Sequence, residues 1–147
     1  MSPDKEREYA ELISFVSIFA AQVFKIDPAD PVHPANVAVH IASTVGKSQA
    51  LVGARQAAND AIESLQGLSQ QQLAALDAEL HKAGSVTLAE MRRRHSKQYK
   101  GILKRGRLRN ETEFYLVKGI LDSCTESLDQ DEQAVLSSLL LGFEQSS

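Results

Sequence analysis

The chain has 147 residues and a formal net charge of −3, which arises from 16 Lys and Arg against 19 Asp and Glu. This length suits one domain with its own core, and 43% hydrophobic with 24% charged residues is a globular composition that excludes a disordered chain. The single cysteine excludes a disulfide framework and a cysteine-based zinc site.

The distribution of proline predicts the fold class. All four prolines lie within the first 34 residues, so 113 residues follow without one. A β-rich fold normally places proline and glycine in its many turns, whereas a long proline-free stretch is typical of helices. We therefore predict an all-α protein.

The first predicted helix runs from about Pro3 to Lys25. Ser2 suits its N-cap, Pro3 suits its first position, and acidic residues occupy its first turns. Apolar residues cover much of its surface between Leu12 and Phe24, so the helix is either central or shared with a partner. We expect a homo-oligomer that forms through the Leu12–Phe24 helix.

The same apolar run bears on the membrane and on location. It has 13 residues, which is too short to span a bilayer. Residues 1–7 carry as much acid as base, unlike the cationic start of a signal peptide. We therefore expect a cytoplasmic protein that does not contact a membrane.

A proline-rich connector (residues 27–35) precedes a long alanine-rich segment (residues 36–66). A residue before proline is displaced from the α-helical region, so the connector is predicted to be extended. Gly46 and Gly53 each weaken a helix interior by about 1 kcal/mol relative to Ala. The long segment is therefore either one helix or two helices with a break near residues 44–48.

Four further helices are predicted over about residues 69–83, 87–105, 110–127 and 129–144. Each begins with an N-cap residue that is followed three positions later by Glu or Gln: Ser69/Gln72, Thr87/Glu90, Asn110/Glu113 and Asp129/Glu132. Apolar residues recur at every third or fourth position. Short gaps make neighbouring helices antiparallel, so we predict a single domain (residues 1–147), built as a bundle or an orthogonal array of about six helices.

Charge is strongly segregated along the chain. The basic segment (residues 92–109) holds nine of the 16 basic residues and no acid. Residues 1–91 carry a balance of −5, and residues 110–147 carry a balance of −7. The predicted binding residues are these nine: Arg92, Arg93, Arg94, Lys97, Lys100, Lys104, Arg105, Arg107 and Arg109.

A single helix over residues 87–105 would place these charges on one ridge. With 100° per residue, Leu88, Met91, His95, Tyr99 and Ile102 share the apolar side. The opposite side carries Arg93, Lys97, Lys100 and Lys104, which lie within about 60° of each other. The predicted result is an uninterrupted cationic ridge toward solvent.

Three interpretations of the ridge remain open. It is a solvated face that the acidic C-terminal part of the chain partly neutralises, a phosphate-binding surface for DNA or RNA, or a docking site for an acidic protein partner. Base stacking has little support, because Tyr99 is the only aromatic residue of the segment and lies on the apolar side. The helix also lacks the Trp and Phe anchors that favour a membrane surface.

No residue pattern indicates catalysis. Val45-Gly46-Lys47-Ser48 resembles the end of a phosphate-binding loop, but Ile41 occupies the position of that motif's first glycine, so we reject an NTP site. A metal site from His33, His40 and the nearby aspartates is a weaker explanation than an exposed connector. His95 and Cys124 lie on apolar stripes and are expected to pack.

We therefore predict a non-enzymatic interaction module of the adaptor, antitoxin or immunity type, with no cofactor and no metal. Its partner is an acidic protein or a nucleic acid. The protein-binding hypothesis uses both the cationic ridge and the broad apolar first helix. The alternative is a nucleic-acid-binding protein that contacts phosphates through the basic segment.

Overall fold

Helices account for the regular structure of residues 2–27 and 29–146, the part of the chain that the structure describes, with Pro34 and Ala35 described by their backbone alone. Over those residues this computed structural model contains eight α-helices and no strand, which confirms the all-α class; the predicted number of about six is slightly low. The helices are α1 (Pro3–Phe19), α2 (Pro34–Thr44), α3 (Lys47–Ser64), α4 (Gln70–Lys82), α5 (Leu88–His95), α6 (Lys97–Arg105), α7 (Glu111–Ser123) and α8 (Gln130–Ser146).

Contacts divide the chain into two compact units, Met1–Leu88 (unit 1) and Ala89–Ser147 (unit 2). The predicted single domain stays a prediction, as does the choice between a bundle and an orthogonal array. Among the described residues, no helix combines the length and the apolar character that crossing a membrane requires.

In unit 1, α1 begins as the sequence predicts and packs against α2, α3 and α4. The Ser2 hydroxyl accepts a hydrogen bond from the Lys5 N–H at 3.3 Å, and Pro3 occupies the first helical position. A π-helical turn (Ala20–Phe24) continues α1 and ends at Lys25, whose φ is +57°. Pro28, within the predicted connector, lies outside the described residues.

The apolar face of α1 forms the centre of the unit 1 core. Leu12, Phe15, Val16 and Phe19 are buried, and the rings of Phe15 and Phe19 stack with centroids 6.3 Å apart. Across from them, α3 contributes small side chains, among which Ala50, Ala54 and Ala58 are buried. Small side chains at a helix contact allow a short distance between the axes.

The alanine-rich segment forms two helices, which resolves the alternative that the sequence left open. The break falls at Gly46, whose φ of 106° and ψ of 161° lie in a region that only glycine readily adopts. The helical spacing of this segment predicts that Val37 lies on its apolar side, and this prediction is wrong, because Val37 is exposed. Val39 is exposed as well.

Helix α4 shows the predicted capping box in full. The Gln72 N–H donates to the Ser69 hydroxyl at 3.1 Å, and the Ser69 N–H donates to the Gln72 side chain at 2.9 Å. Leu76 and Leu80 are fully buried, as the apolar stripe predicts.

Unit 2 contains α6, α7, α8 and nearly all of α5. Its core consists of Tyr99, Ile102, Leu116, Val117, Ile120, Cys124, Leu128, Leu136 and Leu139. Phe114 and Phe143 contact each other through their rings at 5.3 Å, which links α7 to α8. Tyr99 and Ile102 of the segment between residues 92 and 109 belong to this core.

Candidate functional site

The basic segment is not carried by one helix, so the predicted continuous ridge is wrong. The chain leaves the helix at Ser96, where φ is −75° and ψ is 119°, and α6 begins at the next residue. The buried Ser96 hydroxyl accepts a hydrogen bond from the Tyr99 N–H at 3.1 Å, which caps α6. Arg93 therefore lies on a different helix from Lys97, Lys100 and Lys104.

Arg93 is held by two carboxylates from different helices. Its Nη2 donates to Glu132 Oε1 at 2.8 Å, and its Nη1 donates to Glu90 Oε1 at 3.0 Å. The Tyr99 hydroxyl donates to Glu132 Oε2 at 2.8 Å. Only 24% of the Arg93 side chain and 9% of the Glu90 side chain are exposed, so these ion pairs are largely shielded from water.

Ion pairs, hydrogen bonds and burial determine the protonation states of Arg93, Glu132, Tyr99 and Cys124. The hydrogen bond from Arg93, supported by that from Tyr99, lowers the pKa of Glu132, and the same pairing raises the pKa of Arg93. Burial, together with the bond to Glu132, raises the pKa of Tyr99 above its usual range. Burial and a hydrogen bond with Glu90 raise the pKa of the Cys124 thiol to about 12. The phenol and the thiol therefore stay protonated near neutral pH.

Two further arginines of the segment are paired in the same way. Arg94 Nε donates to Glu90 Oε1 at 3.1 Å, four residues earlier on α5. Arg105 Nη2 donates to the carboxylate of Glu113 and, at 2.8 Å, to the backbone oxygen of Arg107. Glu113 is buried and also accepts the Arg109 backbone N–H at 2.8 Å.

The acids in these pairs are Glu90, Glu113 and Glu132, which the sequence assigned to capping boxes. Asn110 and Asp129 do cap their helices, since they accept the N–H groups of Glu113 and Glu132 at 3.0 and 2.7 Å. The glutamate carboxylates bond to arginine instead. Sequence reasoning missed this role, although the Glu90–Arg93 and Glu90–Arg94 spacings of three and four residues signal it.

Of the exposed basic residues of the segment, Arg94 lies on α5 and the others lie on α6 and on the loop that follows. Lys97, Lys100 and Lys104 are exposed, and their spacing places them on one side of α6, opposite the buried Tyr99 and Ile102. We call these three lysines the lysine face. Arg107 and Arg109 are exposed in the loop beyond it, whereas Arg92 is partly buried.

The aspartates of the proline-rich connector, which were considered as metal ligands, have structural roles. Asp27 and Asp30 accept the N–H groups of Ala29 and Val32 at 2.8 and 3.0 Å, which is the pattern of turns capped by aspartate. His33 is buried rather than exposed in the connector, which corrects the sequence expectation. Over the described residues, three or more His, Cys, Asp or Glu side chains do not come together in a group that could hold a metal ion.

Comparisons with known proteins give no match to any family model, curated protein or solved structure.

Proposed function

We propose that the chain is a non-enzymatic interaction module that binds an acidic segment of a partner protein through the lysine face. The observation that carries the proposal is the exposed row of Lys97, Lys100 and Lys104 on one side of α6. Arg93 and Arg105, by contrast, are partly buried in ion pairs within unit 2.

The dimensions of the lysine face suit a short peptide segment. Lys97 and Lys104 are separated by seven residues, or about 10 Å along the helix axis. Arg107 and Arg109 extend the positive surface past the end of α6. A few acidic side chains on one segment are enough to contact all of these cations.

Charge outside the basic segment favours a short acidic segment over a long nucleic acid. The rest of the chain has seven basic and 19 acidic residues, a balance of −12. At physiological salt, charges act over about 8 Å, so a short segment on the lysine face is affected mainly by local cations. A long duplex lies against more of the surface and is repelled by the remaining acids.

The state of the buried cluster supports the non-enzymatic part of the proposal. A reactive cysteine needs a lowered pKa and access to substrate, whereas Cys124 has a raised pKa and is 3% exposed. Tyr99 is buried, and its hydroxyl donates a hydrogen bond to Glu132. These groups are arranged to fix the packing of α5, α6 and α8.

The test is the affinity of a fluorescent glutamate-rich peptide, measured by anisotropy at low salt. Changing Lys97, Lys100 and Lys104 to Glu is expected to weaken binding at least about tenfold, because three contacts of about 0.5 kcal/mol each are lost and repulsion is added. The matched control changes three other exposed lysines to Glu, with the same net charge: Lys5, Lys82 and Lys118. The control variant should bind nearly as well as the wild type.

Equal weakening in both variants would show that only net charge matters and would contradict the proposal. So would the absence of wild-type binding at low salt. A DNA duplex that binds more tightly than the peptide, and loses affinity when the lysine face is reversed, would establish nucleic-acid binding instead.

Self-association and location remain part of the proposal. Leu12, Phe15 and Phe19 are buried within unit 1, so an interface on the Leu12–Phe24 helix would have to use Phe24, which is 61% exposed. Light scattering at tens of micromolar tests the homo-oligomer, and a strict monomer would contradict it. Cell fractionation tests the cytoplasmic location.

A further inference from the structure

An open groove lies in unit 2 where α6 ends. It has a volume of about 330 Å³ and is lined, over the described residues, by Gly106, Ala134, Val135, Ser138 and Leu139. Gly106 ends α6 with a φ of +80°, and the other four side chains belong to α8. The lysine face therefore leads along α6 to the groove.

The lining of the groove suits an apolar side chain. Ser138 alone among the lining residues has a side chain that forms hydrogen bonds, and Val135 is 46% exposed. Small-molecule sites normally add several convergent polar groups to an apolar lining, which this groove lacks. A Leu-sized side chain can bury part of its surface here against Ala134, Val135 and Leu139.

Charge around the groove is complementary to an acidic segment. Lys104 and Arg107 lie two residues before and one residue after Gly106, and both are exposed. The stretch of α8 from residue 134 to residue 143 has no charged side chain, and the exposed Asp131 lies one turn before Val135, so the positive charge lies on the α6 side of the groove. A segment that places an apolar side chain in the groove therefore keeps its neighbouring carboxylates close to cations.

We propose that the groove receives an apolar side chain of the same acidic protein segment that binds the lysine face. This inference rests on the proposed function and adds to it the partner's chemistry: several acidic residues and one large apolar residue close in sequence. The lysine face supplies electrostatic attraction and the groove supplies selectivity. An acidic segment without the apolar residue binds, but more weakly.

The experiment is an NMR titration of the full-length chain with two glutamate-rich peptides that differ only in a central Leu or Ser. Both peptides should shift the amide signals of the lysine face. Only the Leu peptide should shift the signals of Gly106, Val135 and Ser138, and it should bind about tenfold more tightly, as expected for burial of one Leu side chain.

Two variants of α8 test whether the tighter binding of the Leu peptide arises in the groove. Val135→Asp should remove the advantage of the Leu peptide, whereas Leu141→Asp adds the same charge at a site that is 55% exposed and does not line the groove, so it should preserve the advantage. Equal affinity of the two peptides, or equal effects of the two variants, would overturn the inference and leave the proposed function in place. The absence of any shift on the lysine face would overturn both.

Discussion

Arginine and lysine have different environments within one run of basic residues. Arginine presents a planar group that bonds two carboxylates at once, which suits the partly buried positions beside Glu90, Glu113 and Glu132. Lysine is a strongly hydrated point charge and suits the exposed side of α6. Three arginines therefore stabilise unit 2, and the lysines remain at the surface.

Removing Arg93 should destabilise the protein. Arg93→Met removes the cation that pairs with Glu132, leaves only the Tyr99 hydroxyl bonded to that carboxylate, and weakens the pairing of Glu90. We therefore expect a loss of about 2 kcal/mol in the free energy of unfolding, measured with urea. Lys100→Met is the matched control, because it removes the same charge from an exposed position. It should change stability by less than about 0.5 kcal/mol, and equal losses would contradict the structural role of Arg93.

Glu132 should make stability depend on pH in the acid range. Its pKa is lowered in the folded state, so its contribution is complete above its unfolded pKa and is lost as pH falls toward the folded pKa. We expect the stability advantage of the wild type over Glu132→Gln to shrink between about pH 5 and pH 3. Urea unfolding at several pH values measures it, and a constant difference would contradict the pairing.

At the residue scale, the sequence predicted burial better than it predicted partners. Met91, Tyr99 and Ile102 are buried as the apolar stripe indicates, because the core requires their surface whether or not the helix continues. Arg93 pairs with Glu132 of α8, 39 residues away, and Arg105 pairs with Glu113 of α7, across the loop that follows α6. Only the arrangement of the helices in space determines those contacts.

At the scale of elements, the break at Ser96 decides how the basic segment is displayed. The periodicity of Leu88, Met91, His95, Tyr99 and Ile102 fits one helix, and Ser96 is tolerated in a helix by propensity alone. The structure instead uses Ser96 as a cap, as it uses Ser69 and Asn110. Ser96 is a residue type that caps helices, but it lies within a continuous apolar stripe. The periodicity of that stripe favoured a single helix.

The helix cap at Ser96 makes a measurable contribution to the free energy of unfolding. Ser96→Ala removes the hydrogen bond to the Tyr99 N–H and should lower the free energy of unfolding by about 1 kcal/mol. Ser137→Ala, at an exposed position within α8, is the control and should change stability by less than about 0.5 kcal/mol. A neutral Ser96→Ala would indicate that α5 and α6 can join into one helix.

Other boundaries followed local rules and were predicted well. Ser2 and Ser69 cap α1 and α4, and Gly106 ends α6, because each of these signals acts within one helical turn. Gly46 lies within the predicted break near residues 44–48, and its positive φ shows why the break falls there. The exposure of Val37 on α2 was not predicted, because its spacing from Ile41 fits an apolar stripe.

At the scale of the whole molecule, charge segregation distinguishes this chain. A balance of −3 combines a basic segment of +9 with −12 in the remaining residues. The sequence predicted this charge segregation in full, because it depends only on the positions of the charged residues along the chain. It did not predict that carboxylates of unit 2 pair with Arg93, Arg94 and Arg105, which concentrates the exposed positive charge near α6.

The central claim is that Arg93, Arg94 and Arg105 maintain the fold, whereas Lys97, Lys100 and Lys104 bind the partner. The most direct test measures glutamate-rich peptide affinity and the free energy of unfolding in parallel, for Arg93→Met and for the variant with Lys97, Lys100 and Lys104 changed to Glu. We expect Arg93→Met to lose about 2 kcal/mol of stability while the folded protein keeps nearly wild-type affinity. The lysine variant should lose affinity at least about tenfold with stability changed by less than about 1 kcal/mol. Loss of affinity in Arg93→Met with the lysine variant still binding would contradict the claim.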